Sequence, residues 1–361
     1  MRRALELAEQ ASGLTSPNPL VGAVVVRDGV VVGEGFHRGA GEAHAEIDAL
    51  SAAGERAQGA TLYVTLEPCA HWGRTPPCAP QVARSGVRRV VAALADPNPR
   101  VAGRGLSILR EAGVEVMVGL LADEAQGQNR CFLTAMRFGR PHVTLKIAMT
   151  LDGKIADREG ASRWITGAAA RAEAHRLRSQ SDAVLVGIGT VLADDPELTV
   201  RLERPWPREP YRVVLDADAR TPVDARVVRV ATPARTLVMI GHDAPTDRAA
   251  RLVGAGAAVV RGPGRQGHLD LEIVLAELHK RDVRALLVEG GAEVHGAFLE
   301  AGYVDRVVVF IAPLLLGGRG ALSAIGGHGL PLKSSQRLGP LTVRAVGPDL
   351  LVEADVVGPH V

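Results

Sequence analysis

The chain runs to 361 residues, about twice the usual length of one domain, and its 47 % hydrophobic and 23 % charged content is that of a folded chain rather than a disordered one. With 42 basic and 40 acidic residues, a net charge of +2 and only 3 % aromatics, it lacks the basic surplus and stacking rings of a nucleic-acid binder and suits small polar substrates. Three cysteines, Cys69, Cys78 and Cys131, are too few and too odd in number for a disulfide framework and point to a reducing, cytoplasmic setting.

The first segment, Met1-Arg2-Arg3 followed by ALELAEQA, carries Glu6 and Glu9 and reads as an amphipathic helix, not a secretion signal. Short apolar runs then alternate with helical stretches: VGAVVV from Val21, AEIDALSAAG from Ala45, TLYVTL from Thr61, VRRVVAAL from Val87 and VEVMVGL from Val114. This is the rhythm of α/β layering. Gly33-Glu34-Gly35, a lone G-x-G, reads as a turn and carries no weight as a dinucleotide signal.

From Gln126 the pattern turns polar and helical, and Gly139-Arg140-Pro141 breaks it just before a new strand, HVTLKIAM. The expected domains are therefore 1–140 and 141–361. The second restarts the alternation with YRVVLDA from Tyr211, RTLVMIG from Arg235, VRALLVEGG from Val283 and DRVVVFIAPLLLGG from Asp305, so it too is α/β, while RLERPWPREPY reads as a surface loop. The longest apolar run, Val307 to Leu316, contains Pro313 and is too short to span a membrane. Lysine occurs only at Lys146, Lys154, Lys280 and Lys333, which singles out Lys146 within HVTLKIAM.

The chemistry is most legible at His44-Ala45-Glu46, Glu67-Pro68-Cys69 and Cys78. This H-x-E then P-C pattern is that of the zinc nucleobase deaminases. One imidazole and two thiolates fill three positions of a tetrahedral zinc and leave the fourth for water, whose pKa the metal lowers. Glu46, two residues from the ligand His44, is placed to take the proton of that water and deliver it to departing ammonia. One Zn2+ per chain is expected, with Cys131 a packing residue outside the site. Cys69 and Cys78 flank an eight-residue insert, AHWGRTPP, too long for the tight turn of a C-x-x-C motif.

PNPLVGAVVV, GAGEAHAEIDAL, VTLEPCAHWGRTPPC and DPNPRVAGRG, in this order, resemble the deaminase half of the bifunctional riboflavin-biosynthesis deaminase/reductase family. LKIAMTLDGKIA, SRWITG, SDAVLVGIGTVLADDPELTVR and VEGGAEVHGAF resemble its reductase half. The resemblance implies a cytidine-deaminase-like three-layer α/β/α domain followed by a dihydrofolate-reductase-like α/β domain. It also implies deamination of a diaminopyrimidinone carrying a ribosylamino 5′-phosphate to the uracil, then NADPH-dependent reduction of the ribosyl to a ribityl side chain. By the same resemblance Asn18 and His71 contact the pyrimidine, and Arg74 and Asn98 lie toward the ribose phosphate.

In the second half, VEGG ends a strand and AEVHGAFLEAG opens a helix, so the glycines let the backbone approach an anion at the helix N-terminus. No G-x-G-x-x-G is present, which argues against a Rossmann domain. The resemblance implies NADPH contacts at Ala148, Trp164, Thr190, Asp194 and Ala217, and at Gly291, Ala292, Glu293, Val294, His295, Gly296 and Ala297. It places substrate contacts at Ser162, Arg178, Leu198, Arg201 and Glu289, the two arginines suiting a phosphate. Lys146, beside the expected nicotinamide, is the candidate to assist protonation there. The partner is thus a small phosphorylated pyrimidine, with no nucleic acid and no membrane, and the family includes homo-oligomers.

Two other readings stand beside this one: a nucleic-acid-editing zinc deaminase with an RNA-binding C-terminal half, and a chain with only one active domain. Low aromatic content, near-neutral charge and the TPPC insert disfavour the first; intact His44, Glu46, Cys69 and Cys78 and complete glycine and DDP motifs disfavour the second.

Overall fold

The computed structural model describes residues 1–73, 75–98, 102–232, 235–262, 264–265 and 268–358, the side chains of 264 and 265 excepted. Two compact units divide it, Met1–Arg140 and Pro141–Val361.

In the first unit five strands, β1 (Gly22–Arg27), β2 (Val30–Phe36), β3 (Thr61–Val64), β4 (Arg89–Ala92) and β5 (Glu115–Val118), form one sheet in the order β2-β1-β3-β4-β5. β1 runs antiparallel to both its neighbours, and β3, β4 and β5 are parallel. Among the described residues six helices, α1 (Arg2–Glu9), α2 (Ala45–Ala53), α3 (Cys78–Arg84), α4 (Arg104–Glu111), α5 (Ala122–Gln128) and α6 (Arg130–Phe138), cover it. The two-residue period of β1 assigns the faces. Ala23 and Val25 pack with Ala45, Ala49, Val82 and Leu109 of α2, α3 and α4. Val24 packs with Ala4 and Leu7 of α1 on the other side, where Leu133 of α6 and Ala125 of α5 also gather. Three layers result.

Gly33 and Gly35 correct the sequence reading. They lie within β2, not in a turn. A Cβ at Gly33 would stand 2.2 Å from the Ala49 carbonyl oxygen, and one at Gly35 2.5 Å from that of Ala45. The glycines let α2, which carries His44 and Glu46 at its start, lie directly on the sheet. That reason concerns helix packing, which a local G-x-G does not display.

The second unit is built on β6 (His142–Thr150), with β7 (Lys154–Ala156), β8 (Ala183–Gly187), β9 (Tyr211–Leu215), β10 (Thr236–Ile240), β11 (Ala258–Arg261), β12 (Gly264–Arg265), β13 (His268–Leu269), β14 (Ala285–Gly290), β15 (Arg306–Ala312), β16 (Leu322–Ser323), β17 (Arg337–Leu338), β18 (Thr342–Val346) and β19 (Asp349–Val357). The main sheet has the order β11-β10-β9-β8-β14-β6-β15-β19-β17, with β18 also on β19. Strands β11 to β15 along that path are parallel, and the antiparallel β19 closes the other end. Small pairs β12·β13 and β7·β16 lie off it.

Central strands buried on both faces read as unbroken apolar runs. In β8, Val184 and Val186 face a cluster containing Val191 of α8 (Ile188–Asp194), Leu252 of α9 (Thr246–Gly254) and Leu177 of α7 (Ala168–Ser179). Ala183 and Leu185 face Leu275 and Leu278 of α10 (Leu271–Lys280) and Phe298 of α11 (Ala292–Glu300). Asp270 caps α10, its side chain accepting from the backbone N–H groups of Glu272 and Ile273. No helix among the described residues is long and apolar enough to cross a membrane.

Candidate functional site

His44 is the residue before the first turn of α2, with extended backbone, and Cys78 is the first residue of α3. The chain after β3 brings Cys69 between them. The His44 Nδ1 lies 3.1 Å from Cys78 Sγ and 3.6 Å from Cys69 Sγ, and the three donor atoms sit within 4.8 Å of one another. Ligand-to-ligand edges of a tetrahedral zinc site with one nitrogen and two sulfurs are about 3.6 Å, so the donor set fits that metal. The Cys78 backbone N–H donates to Cys69 Sγ at 3.3 Å. The hydrogen bond from Cys78 lowers the Cys69 thiol, and the same bond together with burial raises Cys78.

Orientation of the imidazole comes from the insert. His44 Nε2 lies 3.1 Å from Thr75 Oγ1, which takes the Nε2–H and leaves the Nδ1 lone pair toward the sulfurs. Glu46 is 3 % exposed, and burial pushes its carboxyl up to about 7, with Cys69 adding to the rise. A buried carboxyl whose proton affinity is raised, placed beside three metal donors, is the equipment of a proton carrier.

A cavity of about 310 Å³ opens over this cluster. Asn18, His71 and Asn98, all expected from the sequence, line it with Glu46, His44 and Cys69. Arg74 lies outside the described residues. Three further residues were not evident from the sequence. His37, buried, accepts from Asn18 Nδ2 through Nε2 at 3.0 Å and donates from Nδ1 to the Ala43 carbonyl at 3.1 Å, which fixes the Asn18 amide. Phe132 of α6 supplies an apolar wall. Asn129, between α5 and α6, holds both backbone groups of Leu20, its Oδ1 accepting from N–H and its Nδ2 donating to the carbonyl, each at 2.8 Å. These contacts join segments far apart in the chain, so no local spacing announces them.

The second unit has a cleft of about 1000 Å³ at the carboxyl ends of β8, β9 and β14. Ligands of parallel α/β sheets lodge at such strand ends. Thr190, Asp194, Ala217, Gly291, Ala292, Glu293, Val294 and Ala297 line it, together with Ser162, whose hydroxyl donates to Asp194 Oδ1 at 2.8 Å. Close approach is made by glycine: a Cβ at Gly187 would meet Val294 at 2.7 Å and one at Gly291 would meet Thr190 at 3.3 Å. His295 and Gly296 turn inward instead. His295 is buried with Nδ1 3.0 Å from the Ala324 carbonyl, and a Cβ at Gly296 would stand 2.3 Å from that of Gly326. Trp164 is 68 % exposed with the Arg171 guanidinium stacked 4.5 Å from its ring centre, and neither it nor Ala148 of β6 is among the residues lining the cleft.

The charged residues form a separate group. Arg178, expected at a phosphate, is committed to Glu289: Nε donates to Oε1 at 2.6 Å and Nη2 to Oε2 at 2.9 Å, while Nη1 donates to the Thr199 carbonyl at 3.0 Å. Lys146 Nζ is 3.7 Å from Glu289 Oε2. Burial alone would push the Glu289 carboxyl up, but Arg178 and Lys146 outweigh it and hold it at about 2. Arg201 is exposed, with Nη1 on Glu197 at 2.7 Å and its backbone N–H on His175 Nδ1 at 3.2 Å. Leu198 is a buried side chain in left-handed conformation, φ +56°, so only its backbone can meet a ligand.

Comparison with known proteins agrees with both halves. A family model for the RibD C-terminal domain matches residues 141–352, and one for the cytidine and deoxycytidylate deaminase zinc-binding region matches residues 1–94. The chain is 44 % identical to riboflavin biosynthesis protein RibD of Aquifex aeolicus over 98 % of its length and 96 % of the relative's, and 44 % identical to that of Escherichia coli K12 over 97 % and 96 %. Acinetobacter baumannii RibD superposes with a TM-score of 0.89 at 40 % identity, covering 99 % of this chain and 98 % of the other. A Thermotoga maritima structure described as a diaminohydroxyphosphoribosylaminopyrimidine deaminase/5-amino-6-(5-phosphoribosylamino)uracil reductase gives 0.84 at 37 %, covering 99 % and 97 %. The zinc-deaminase fold and the reductase fold expected from the motifs are both present.

Proposed function

The chain belongs to the bifunctional RibD deaminase/reductase family of riboflavin biosynthesis, and on that premise we propose that it converts 2,5-diamino-6-ribosylamino-4(3H)-pyrimidinone 5′-phosphate to 5-amino-6-(5-phosphoribosylamino)uracil and then reduces the sugar with NADPH. The observation that carries the reading is the buried Glu46 side chain in one cavity of about 310 Å³ with the His44, Cys69 and Cys78 donor cluster.

Zinc bound by His44, Cys69 and Cys78 would supply the acidity that makes water nucleophilic near neutral pH. Glu46 takes a proton from the attacking water and returns one to the departing amino nitrogen, so ammonia leaves and the ring carbon gains an oxygen. Asn18, its amide fixed by His37, presents its Oδ1 to the ring, and Phe132 keeps one side of the ring dry. Asn98, and Arg74 by resemblance, face the ribose phosphate.

In the second unit NADPH would supply the hydride. Thr190, Asp194, Ala217 and the backbone from Gly291 to Ala297 hold the dinucleotide, the glycines at 187 and 291 opening the space. Lys146, 3.7 Å from Glu289, provides a basic group where a proton is delivered as C1′ is reduced. Arg178 keeps Glu289 ionised, and the exposed Arg201, whose Nη1 rests on Glu197, turns its guanidinium to the phosphate when substrate binds.

The test is incubation of zinc-analysed protein with the diaminopyrimidine, with and without NADPH. The uracil is expected to accumulate without NADPH and to pass on to the ribityl product with it; reduction of the diaminopyrimidine before deamination would reverse the order, and absence of either conversion would remove that activity from the chain.

A further inference from the structure

Glu67, in the LEPC motif, lies two residues before the ligand Cys69 but is neither a ligand nor a proton carrier. Its carboxylate is 3 % exposed and meets four backbone N–H donors from one distant segment. Oε2 accepts from Asp96 at 3.0 Å and Gly103 at 3.1 Å; Oε1 accepts from Gly105 at 2.9 Å and Leu106 at 3.3 Å. Gly105 and Leu106 are in the first turn of α4, so Glu67 caps that helix from the loop after β3, at the end of the helix dipole that favours an acidic side chain.

The glycines of the VAGRG motif serve this contact. Gly103 is left-handed, φ +85°, and aims its N–H at the carboxylate. A Cβ at Gly105 would fall 1.9 Å from the Pro68 carbonyl oxygen. Glu67 borders the cavity itself, and Asp96, whose N–H is on Glu67, accepts at Oδ1 from Asn98 N–H at 2.8 Å, so the carboxylate also holds the part of the wall that carries Asn98. Because Glu67 fills the N-terminus of α4, that helix end is not available to a phosphate.

We infer that Glu67 is a positioning residue for recognition of the phosphorylated tail: it ties the segment bearing Asn98 to the loop after β3 that bears Cys69, so that the distance between the metal donors and the tail-binding wall is set by one carboxylate. The inference rests on the substrate reading above. Glutamine keeps the size of the side chain but turns an –NH2 toward two of the N–H donors, which breaks half of the clasp without opening a cavity.

The experiment compares deamination of the phosphorylated diaminopyrimidine with that of its dephosphorylated counterpart in wild type and Glu67→Gln, with zinc content measured on each. In wild type the phosphorylated substrate is preferred; equal use of both would overturn the substrate reading itself. In Glu67→Gln, with zinc retained, the preference is expected to fall about tenfold, through KM of the phosphorylated substrate and with kcat nearly kept. An unchanged preference, or an equal loss on both substrates, overturns the positioning role. If Glu67→Gln fails to hold zinc, Gly103→Ala decides: its Cβ meets nothing within 4 Å but strains the left-handed turn, and it is expected to lower the same preference more mildly, an unchanged preference again overturning the inference.

Discussion

Arg178 and Glu289, 111 positions apart, meet in a buried two-bond fork of 2.6 and 2.9 Å, and the Lys146 ammonium stands 3.7 Å from the second carboxylate oxygen. Two basic side chains thus share one buried carboxylate inside the second unit. A bidentate guanidinium holds the plane of the carboxylate, which an ammonium cannot do.

Removing the fork while keeping side-chain volume, as in Arg178→Met, leaves Glu289 buried against Lys146 alone. Breaking a buried pair from one side costs about 3–5 kcal/mol, so denaturant unfolding of the second unit shifts by that order and reduction is lost. Deamination persists. Arg178→Lys restores charge but not the fork and falls between. Reduction at the wild-type rate in Arg178→Met would remove this cluster from the mechanism.

Acid sensitivity follows from two groups in the same region. Burial, with Arg178 and Arg201 nearby, lowers His175 from 6.5 to about 4, and Arg178 and Lys146 take Glu289 from 4.5 to about 2 against its burial. In both, the folded value lies below the unfolded one. Each therefore stabilises the fold above its unfolded pKa and loses that contribution as pH falls, His175 between about 6.5 and 4, Glu289 between about 4.5 and 2. Glu289 contributes about 3 kcal/mol by this linkage. His175→Gln should flatten the stability profile of the second unit in the upper window and leave the lower one; an unchanged upper limb would contradict the assignment.

Glu46→Gln is expected to keep one zinc per chain and lose deamination by about 10²–10⁴-fold, the range for removing a proton carrier. Reduction of the deaminated intermediate continues, because the reductase residues lie in the other unit. Chelation of zinc has the same split outcome, reversed by adding zinc back. Product analysis on the two substrates separates the steps, and loss of both activities in a zinc-loaded mutant would count against independent sites.

Asn129→Asp keeps the acceptor for Leu20 N–H but replaces the donor to the Leu20 carbonyl with a second oxygen. An unmet buried backbone group costs about 1–3 kcal/mol. The turn bearing Asn18 should loosen, raising KM for deamination while zinc content stays constant; unaltered KM would show that the turn holds itself.

The zinc set was legible because its chemistry demands particular residue types within short motifs, and the α/β alternation because buried parallel strands leave continuous apolar runs. What the sequence hid depends on contacts between distant segments. Thr75 matters to His44 across 31 positions, and Asn129 to Leu20 across 109. Gly33 and Gly35 looked like a turn because the helix that needs their missing side chains starts ten residues later. Arg178, on α7, looked like a phosphate cation because its partner Glu289 lies 111 positions away on β14.

Asn129 and Phe132 come at the end of the first unit, yet they hold and wall the pocket that begins at Asn18. All three zinc ligands and Glu46 fall within residues 1–94, the span matched by the deaminase zinc-binding family. The labour of the first unit is thus divided along the chain: residues 1–94 supply the metal donors and the proton carrier, while the stretch of its last two helices supplies the brace and the apolar wall, so a change there can alter which ring is gripped without touching the metal cluster.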